Sequence, residues 1–261
     1  MTGEVLLDID GAIATITLSN VPKRNALTVH MRRALVSMVN KVQDDPAVRG
    51  VVLTGDGAEA FVAGADLVEL AGYATPAELL AEAIALDAEL TAAWDRLEKP
   101  VVAMIQGYCI GAGLLLALDA DIRIAGEGSQ FAIPAARLGL GLGSAYVEGL
   151  AATVGSSWAA EILFSARRLS AAEALRIGLV NHVVPAGELR TFTMALVTEI
   201  AQNAPLTIAA SKVAIRQLRL EPAQRDHTRA EALSEACNSS ADLVEGQTAF
   251  KEKRQPRFTG R

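Results

Sequence analysis

The stretch IQGYCIGAGLLLALDAD, from Ile105 to Asp121, predicts the end of a strand, a glycine-rich turn and a buried helix in immediate succession. An apolar segment at 101–105 precedes the turn at Gly107–Gly113, and the apolar run 114–118 follows it. That run is far shorter than the ~20 apolar residues that cross a membrane, so it indicates a buried helix. The small residues of the turn let a ligand approach the main chain, and free N–H groups at the helix start favour negative charge. Close packing of a helix on a sheet explains the same glycines, so both interpretations stay open here.

Composition restricts the classes of partner. The 261 residues carry a formal net charge of −6 and are 51% hydrophobic, which provides a sizeable core for one large domain or a domain with an appendage. A nucleic-acid partner is not expected for an acidic chain, although a local basic site for a phosphate-bearing ligand is compatible with this charge. The first residues, MTGEVLLDIDG, show no signal or transit pattern, and no apolar run reaches membrane-spanning length. We therefore expect a cytoplasmic protein with no membrane partner.

Cysteine and histidine usage argues against metal or disulfide chemistry. The two cysteines, Cys109 and Cys237, lie far apart in sequence, and neither they nor the three histidines show metal-ligand spacing. We expect no metal, no disulfide framework and a reducing compartment.

The order of strands and helices predicts the fold class. Strand and helix patterns alternate to about residue 184, which is typical of an α/β protein with buried strands. The strand patterns lie at 5–8, 13–18, 50–54, 101–105, 122–125, 130–133 and 179–184. Candidate helix caps are Thr28, Ser144, Ser156 or Ser157, and Ser170. The pattern becomes entirely helical after about residue 187. We divide the chain into an α/β core at 1–200, which includes the first of these helices, and a helical oligomerisation region at 201–261.

Two turns of small residues stand out, each between a strand and a helix. One is Ala63-Gly64-Ala65-Asp66 and the other is Gly111-Ala112-Gly113. The second is not a phosphate-binding loop, because no Gly-Lys-Ser/Thr follows and the spacing is not G-x-G-x-x-G. Placed side by side, two such turns could aim two backbone N–H groups at one oxygen. That arrangement is an oxyanion hole, in which each donor contributes roughly 2.7–4 kcal/mol to transition-state stabilisation.

Five segments carry a family resemblance that covers nearly the whole chain. AFVAGADLVEL (60–70) and QGYCIGAGLLLALDADIRIA (106–125) resemble the two signatures of the crotonase, or enoyl-CoA hydratase/isomerase, superfamily. PKRNALT (22–28), SARRLSAAEALRIGLVNHVVP (165–185) and AFKEKRQPRF (249–258) resemble its CoA-contacting loop, the stretch after its active site and its C-terminal tail. The resemblance implies an α/β spiral of ββα repeats with a helical C-terminal trimerisation region. It also implies a homotrimer or a dimer of trimers.

The resemblance further implies an acyl-CoA thioester ligand, with coenzyme A as part of the substrate and no prosthetic group. By position, the hole would be formed by the N–H groups of Ala65 and Ala112. Lys23 and Arg24 would lie near the CoA phosphates, and Phe250 and Lys253 would reach the CoA of a neighbouring subunit. Solvated surface charge explains the basic residues equally. Further substrate contacts are expected at Ala26, Ala63, Asp66, Leu67, Tyr73, Tyr108 and Leu138.

The chain departs from the family pattern where hydratases carry two glutamates. Leu115 and Ala135 stand at those positions. Neither side chain can transfer a proton, and each positioned acid or base contributes roughly 10²–10⁴-fold to rate. Ordinary enoyl-CoA hydration is therefore not expected, which leaves an isomerase, a decarboxylase, a hydrolase or a hydratase with displaced acid/base groups. Glu148 is the best candidate for such a group, although it also fits a helix-stabilising carboxylate in a first turn.

Two alternatives belong to other classes. A non-catalytic acyl-CoA binding or carrier protein would explain the loss of both glutamates. A Clp-like serine protease shares the spiral fold but needs a serine nucleophile with a histidine base, and Ser144 has no evident histidine partner in the sequence.

Overall fold

The computed structural model describes residues 3–72, 75–218, 220, 223 and 225–261. The strands are β1 Glu4–Asp10, β2 Ile13–Ser19, β3 Gly50–Gly55, β4 Ala60–Val62, β5 Val101–Ile105, β6 Tyr108–Ile110, β7 Ile122–Gly126, β8 Gln130–Ala132, β9 Leu169–Ser170 and β10 His182–Val184. The helices are α1 Val29–Asp44, α2 Leu67–Leu70, α3 Pro76–Arg96, α4 Ala112–Asp119, α5 Ala135–Leu138, α6 Ser144–Val154, α7 Ser156–Ser165, α8 Ala171–Arg176, α9 Leu189–Gln202, α10 Pro205–Gln217, α11 His227–Asn238 and α12 Ala241–Glu252. No helix in the described ranges has the length and apolar character needed to cross a bilayer.

The strands form two sheets, and the α/β prediction is confirmed. The larger sheet has the order β1-β2-β3-β5-β7-β10, and the smaller has the order β4-β6-β8-β9. Three successive segments repeat one pattern: β3, β5 and β7 enter the larger sheet, the next strand enters the smaller sheet, and a helix follows. Apart from the β1–β2 hairpin and the β8–β9 pair, the strand pairs are parallel. Parallel strands bring their carboxyl ends to one edge, which positions the turns that follow them.

Helix α1 shows how sequence pattern becomes packing. Its N-cap Thr28 accepts a hydrogen bond from the Met31 N–H at 3.1 Å, as the sequence predicted. The side chains at Met31, Leu35, Val39 and Val42 recur at helical spacing and are buried in the main core. Capping and periodicity therefore agree on this element.

Two predicted caps are wrong by one residue. Helix α6 has Gly143 as its N-cap and α7 has Gly155, so Ser144 and Ser156 are already the first helical residues, and neither cap makes a side-chain bond. Gly155 also ends α6, with φ of 79°, a conformation that glycine adopts readily. Since one residue separates the two helices, no position is left for a capping serine.

Two predicted boundaries also change. The turn expected at Gly107–Gly113 contains the short strand β6, because residues 108–110 pair with both β4 and β8. The last strand of the core is shorter than the predicted 179–184: only His182–Val184 pairs with β7. Strands of three residues depend on their neighbours, and the local sequence carries little signal for them.

The C-terminal helices are joined to the α/β core through buried polar contacts. Lys212 on α10 is buried, forms an ion pair with Asp121 at 2.8 Å and donates to the Lys99 carbonyl at 2.5 Å. Asp242 on α12 is buried and accepts from the N–H groups of Thr259 at 2.6 Å and Gly260 at 2.8 Å. These bonds fix α10 against the core and fix the chain end against α12.

Candidate active site

The two small-residue turns lie side by side. They follow β4 and β6, which are parallel neighbours in the smaller sheet, so both turns leave the same sheet edge. A Cβ atom built on Gly111 would lie 3.8 Å from the Gly64 Cα. Gly64 and Gly111 have φ of 121° and 54°, which are left-handed values that favour glycine. The backbone conformation therefore favours glycine at both positions, while a Cβ would make only ordinary van der Waals contacts there.

Each turn presents a backbone N–H group with no acceptor in the described part of the chain. Leu27 and Ala65 form a parallel bridge, in which the Leu27 N–H donates to the Gly64 carbonyl at 2.8 Å and the Asp66 N–H donates to the Leu27 carbonyl at 2.9 Å. In such a bridge the N–H of Ala65 itself points away from Leu27. Ala112 is the first residue of α4, where N–H groups have no partner within the helix. Both alanines are partly exposed. The structure thus places two free backbone donors on adjacent turns.

The wall around these donors is apolar at the two positions where the sequence lacks glutamates. Leu115 lies one turn into α4, is partly buried and packs against the core, as does Leu142. The Cδ of Pro134 lies 3.9 Å from a Cβ built on Gly111, and Ala135 follows it with 8% of its surface exposed. Both positions lie beside the Gly111–Gly113 turn, and neither side chain can transfer a proton.

Asp66 organises the loop beside the Ala65 turn. It is buried, accepts from the N–H of Val68 at 3.1 Å and of Glu69 at 3.4 Å as the N-cap of α2, and pairs with Lys23 at 2.5 Å. The hydrogen bond from Lys23 holds the pKa of this carboxyl below its ordinary value, against the opposing effect of burial. Lys23 thus fastens the 22–28 loop to the start of α2, next to the proposed hole.

We expect Asp66→Asn to destabilise the folded protein by about 1 kcal/mol at pH 7, since Lys23 is partly exposed and water screens the pair. Asparagine also caps helices, so the change mainly removes the charge interaction. Because the folded-state pKa is lowered, this contribution is complete above about pH 4 and is lost as the pH falls through the folded-state value. Urea unfolding at pH 7 and pH 3 measures it. The exposed Arg24–Glu59 pair supplies the control, Glu59→Gln, with little effect at either pH. A difference in unfolding free energy between the wild type and Asp66→Asn that is as large at pH 3 as at pH 7 would contradict this.

Other residues named from the sequence occupy varied positions. Arg24 pairs with Glu59 at 2.6 Å, and the guanidinium groups of Arg24 and Arg168 each lie 5.3 Å from the Tyr108 ring centroid. Ala26 is buried, Ala63 is partly buried, and Leu67 and Leu138 are exposed at 58% and 55%. Phe250 and Lys253 lie at the end of α12, with Phe250 86% exposed. Tyr73 lies outside the described residues.

Glu148 and Tyr146 lie on different sides of α6. Glu148 is exposed, whereas Tyr146 is partly buried. Burial and the negative charge of Asp87 raise the pKa of Tyr146, so the phenol stays protonated at neutral pH. Asp87 also pairs with Arg32. This Arg32–Asp87–Tyr146 cluster was missed in the sequence, because its members are distant along the chain and match no motif.

The described residues give no support to a metal centre or a serine protease. They contain no group of three His, Cys, Asp or Glu side chains that could hold a metal ion. Within the same residues, no hydrogen bond joins Ser144 to a histidine.

A cavity of about 380 Å³ at the amino ends of β3 and β5 lies elsewhere, and none of the turn residues lines it. Two of its cations bond to main-chain oxygens: Lys99 to the Val42 carbonyl at 2.6 Å and Arg49 to the Phe258 carbonyl at 2.6 Å. These bonds hold the end of α1 and the chain end in place.

A family model described as enoyl-CoA hydratase/isomerase matches residues 8–261. The chain belongs to the enoyl-CoA hydratase/isomerase family. It is 34% identical over 256 residues to a short-chain-enoyl-CoA hydratase from Clostridium acetobutylicum, covering 96% of this chain and 95% of the relative. It is 36% identical over 266 residues to a carnitinyl-CoA dehydratase from Salmonella enteritidis, covering all of both chains. The crystal structure of an enoyl-CoA hydratase from Bacillus anthracis superimposes on this chain with a TM-score of 0.90, covering 98% of this chain and 99% of that one. The sequences of the two chains are 29% identical.

These matches confirm the resemblance and the crotonase fold that it implied. Members of this enoyl-CoA hydratase/isomerase family are enzymes that act on CoA thioesters, with hydratase and dehydratase activities among the named relatives.

Proposed function

We propose that this protein binds an acyl-CoA thioester and stabilises the enolate of its acyl group with the N–H groups of Ala65 and Ala112. The observation that supports the proposal is that two adjacent turns each present a backbone donor with no acceptor in the described residues. Forming an enolate moves negative charge onto the thioester oxygen, and donors fixed in advance favour that charge. The alanine side chain at 112 is no obstacle, because only the main chain donates.

The substrate supplies coenzyme A in this proposal, so no prosthetic group is needed. Lys23 and Arg24 lie on the loop next to the Ala65 turn, where their positive charge suits the phosphates of CoA. Lys23 stays 45% exposed while paired with Asp66, and Arg24 stays 54% exposed, so both can face a ligand at the surface.

The reaction that we favour is an isomerisation, decarboxylation or thioester hydrolysis, or a hydration with displaced acid/base groups. Leu115 and Ala135 next to the turns cannot hold or activate water as two carboxylates would. Glu148 stays the candidate from sequence, and its exposed place on α6 suits proton exchange with solvent more than contact with the hole.

Enolate formation can be tested without knowing the substrate. Acetoacetyl-CoA is a 3-oxoacyl thioester whose enolate absorbs ultraviolet light, so we expect its enolate absorbance to rise when the protein is added at fixed pH. A panel of enoyl-, malonyl- and 3-oxoacyl-CoA thioesters, followed for turnover, then identifies the reaction. Absence of binding across the panel would overturn the proposed function.

A second function, a non-catalytic acyl-CoA binding or carrier protein, is favoured by one observation: both positions beside the turns are apolar. It predicts binding across the same panel with neither enolate enrichment nor turnover. The two functions therefore give different results in one set of measurements.

We also propose that residues 201–261 assemble the protein into a homotrimer or a dimer of trimers. The C-terminal helices expose large apolar side chains: Ile215 at 60%, Leu218 at 67%, Val244 at 63% and Phe250 at 86%. Burial in an assembly would remove this surface from water and bring Phe250 and Lys253 to a neighbouring subunit. Light scattering gives the number of chains.

The two cysteines are unpaired, which agrees with a reducing compartment such as the cytoplasm.

A further inference from the structure

The cavity at the amino ends of β3 and β5 has the size of a small-molecule site. Its volume of about 380 Å³ lies in the range of ~300–1,000 Å³ that ligand pockets occupy. The carboxyl ends of α1 and α9, the start of α10 and the C-terminal segment complete its walls. Apolar side chains come from several of these segments, among them Val48, Pro100, Ile200, Leu206, Ile208 and Ala209. The body of a ligand in this cavity would therefore be apolar.

Two partly buried cations, Arg49 and Lys99, line the same cavity. Lys99 donates to the main-chain carbonyls of Val42, at 2.6 Å, and of Asp45. Arg49 donates to the Phe258 carbonyl at 2.6 Å. Within the part of the chain that the structure describes, neither cation forms an ion pair with a carboxylate. Because a carbonyl oxygen carries no net charge, both positive charges stay uncompensated.

The acids near these cations are engaged elsewhere. Glu98 lines the cavity but pairs with Arg229 at 3.0 Å. Asp44 pairs with Arg96. The carboxylate of Asp45 accepts a main-chain N–H two residues further along at 2.9 Å. Since none of the three forms an ion pair with either cation, the cavity has room and charge for an anion.

Hydrogen-bond capacity indicates which headgroup fits. The Lys99 ammonium has three N–H groups and uses two of them on main-chain oxygens, and the Arg49 guanidinium has five and uses one. Helix α10 starts in the same wall, where the N–H groups of Leu206 and Thr207 have no acceptor in the described residues. All of these groups are donors. A carboxylate has two oxygens that accept several bonds each, and its charge strengthens every one.

We propose that this cavity binds a carboxylic acid with an apolar body, in its anionic form. Lys99 and Arg49 hold the carboxylate, and the apolar side chains of the walls cover the body. None of the residues of the two turns lines the cavity, so the site is separate from the proposed oxyanion hole and goes beyond the proposed function. The protein then has two ligand sites of different chemistry, one for a thioester and one for a free acid.

Calorimetry with octanoate, 1-octanol and acetate tests this proposal. Octanoate and 1-octanol share their alkyl body and differ in charge, so octanoate should bind at least tenfold more tightly. Acetate carries the charge without the body and should bind at least tenfold more weakly than octanoate. The octanoate titration is repeated with octanoyl-CoA in excess, and its affinity should stay the same, because the two sites are separate.

Variants locate the site. Arg49→Gln and Lys99→Gln should each lower octanoate affinity about tenfold and leave 1-octanol affinity unchanged. Ala209→Leu keeps both cations and fills part of the cavity, so it should weaken both ligands, and leucine is nearly as good a helix former as alanine. Arg33→Gln is the matched control: it removes a cation of α1 that is 61% exposed and paired with Glu82, and octanoate should bind it as it binds the wild type. Circular dichroism shows that each variant is folded.

The outcomes separate this inference from the proposed function. Equal affinity for octanoate and 1-octanol, or an octanoate preference that survives both Arg49→Gln and Lys99→Gln, overturns the acid site. Displacement of octanoate by octanoyl-CoA also overturns it, because the acid then lies where the acyl group binds. Failure of every CoA thioester to bind overturns the proposed function alone, since the variants still decide whether the cavity holds the acid.

Discussion

Replacing Ala112 with proline is expected to lower turnover by roughly 10²–10³-fold while the protein stays folded. Ala112 is the first residue of α4, a position at which proline fits the helix and removes only an N–H that has no helical partner. The preceding residue, Gly111, has ψ of −119°, away from the helical values that proline excludes in its neighbour. The substitution leaves the helix intact, deletes one proposed donor and places the ring Cδ where its hydrogen was, so the oxygen loses both the hydrogen bond and part of its space.

Two measurements check this result. Turnover of whichever thioester the panel identifies should fall, and the enolate absorbance of bound acetoacetyl-CoA should fall with it, while the circular dichroism spectrum is retained. Ala112→Gly is the control, because it preserves the N–H, and its enolate signal should match that of the wild type. Wild-type enolate absorbance in a folded Ala112→Pro protein would show that this N–H is not a donor.

Replacing Gly113 with alanine is expected to destabilise the protein by about 3 kcal/mol or more, the upper range for overpacking in a core. A Cβ at this position would lie 2.3 Å from the Val62 carbonyl oxygen and 2.7 Å from the Val62 Cβ, where α4 rests on β4. A main-chain oxygen cannot rotate away as a flexible side chain can. The helix would have to move off the strand, and that movement would separate the two turns.

Gly149 in α6 provides a matched control. A Cβ built there meets nothing within 4 Å, so Gly149→Ala should stabilise the protein by about 0.5–1 kcal/mol through helix propensity alone. Both variants replace a helical glycine with alanine. Denaturant unfolding of the two therefore separates the cost of overpacking at Gly113 from the effect of helix propensity. Equal stability of the two variants would show that α4 does not rest on β4 as closely as the structure has it.

The sequence predicted those features of the fold that depend on local signals. Thr28 and Ser170 cap their helices as expected, the latter in a complete capping box with Glu173, because side chain and backbone partner lie three residues apart. The buried strands at 50–55 and 101–105 were found from their apolar runs. The two glycine turns were identified as well, since small residues between a strand and a helix are themselves a local pattern.

Features that depend on distant neighbours were not predictable. The strand β6 exists because β4 and β8 pair with it on both sides. The partner of Lys23 is Asp66, 43 residues away, and the partner of Asp87 is Arg32, 55 residues away. No spacing rule joins such pairs, so the cluster of Arg32, Asp87 and Tyr146 became visible only when α1, α3 and α6 were placed together.

The order β1-β2-β3-β5-β7-β10 in the larger sheet has a consequence for how the chain is made. Every strand of this sheet lies next to the strand of the same sheet that precedes it in the chain. A polypeptide leaving the ribosome can therefore add each new strand to an edge that already exists, and it never has to insert one between two earlier strands. Parallel sheets are slow to fold when pairing must wait for remote segments. Here one strand of the smaller sheet lies between β3 and β5 and between β5 and β7, and the longest wait, from β7 to β10, covers residues 127–181. Both proposed donors belong to the first half of this growing structure.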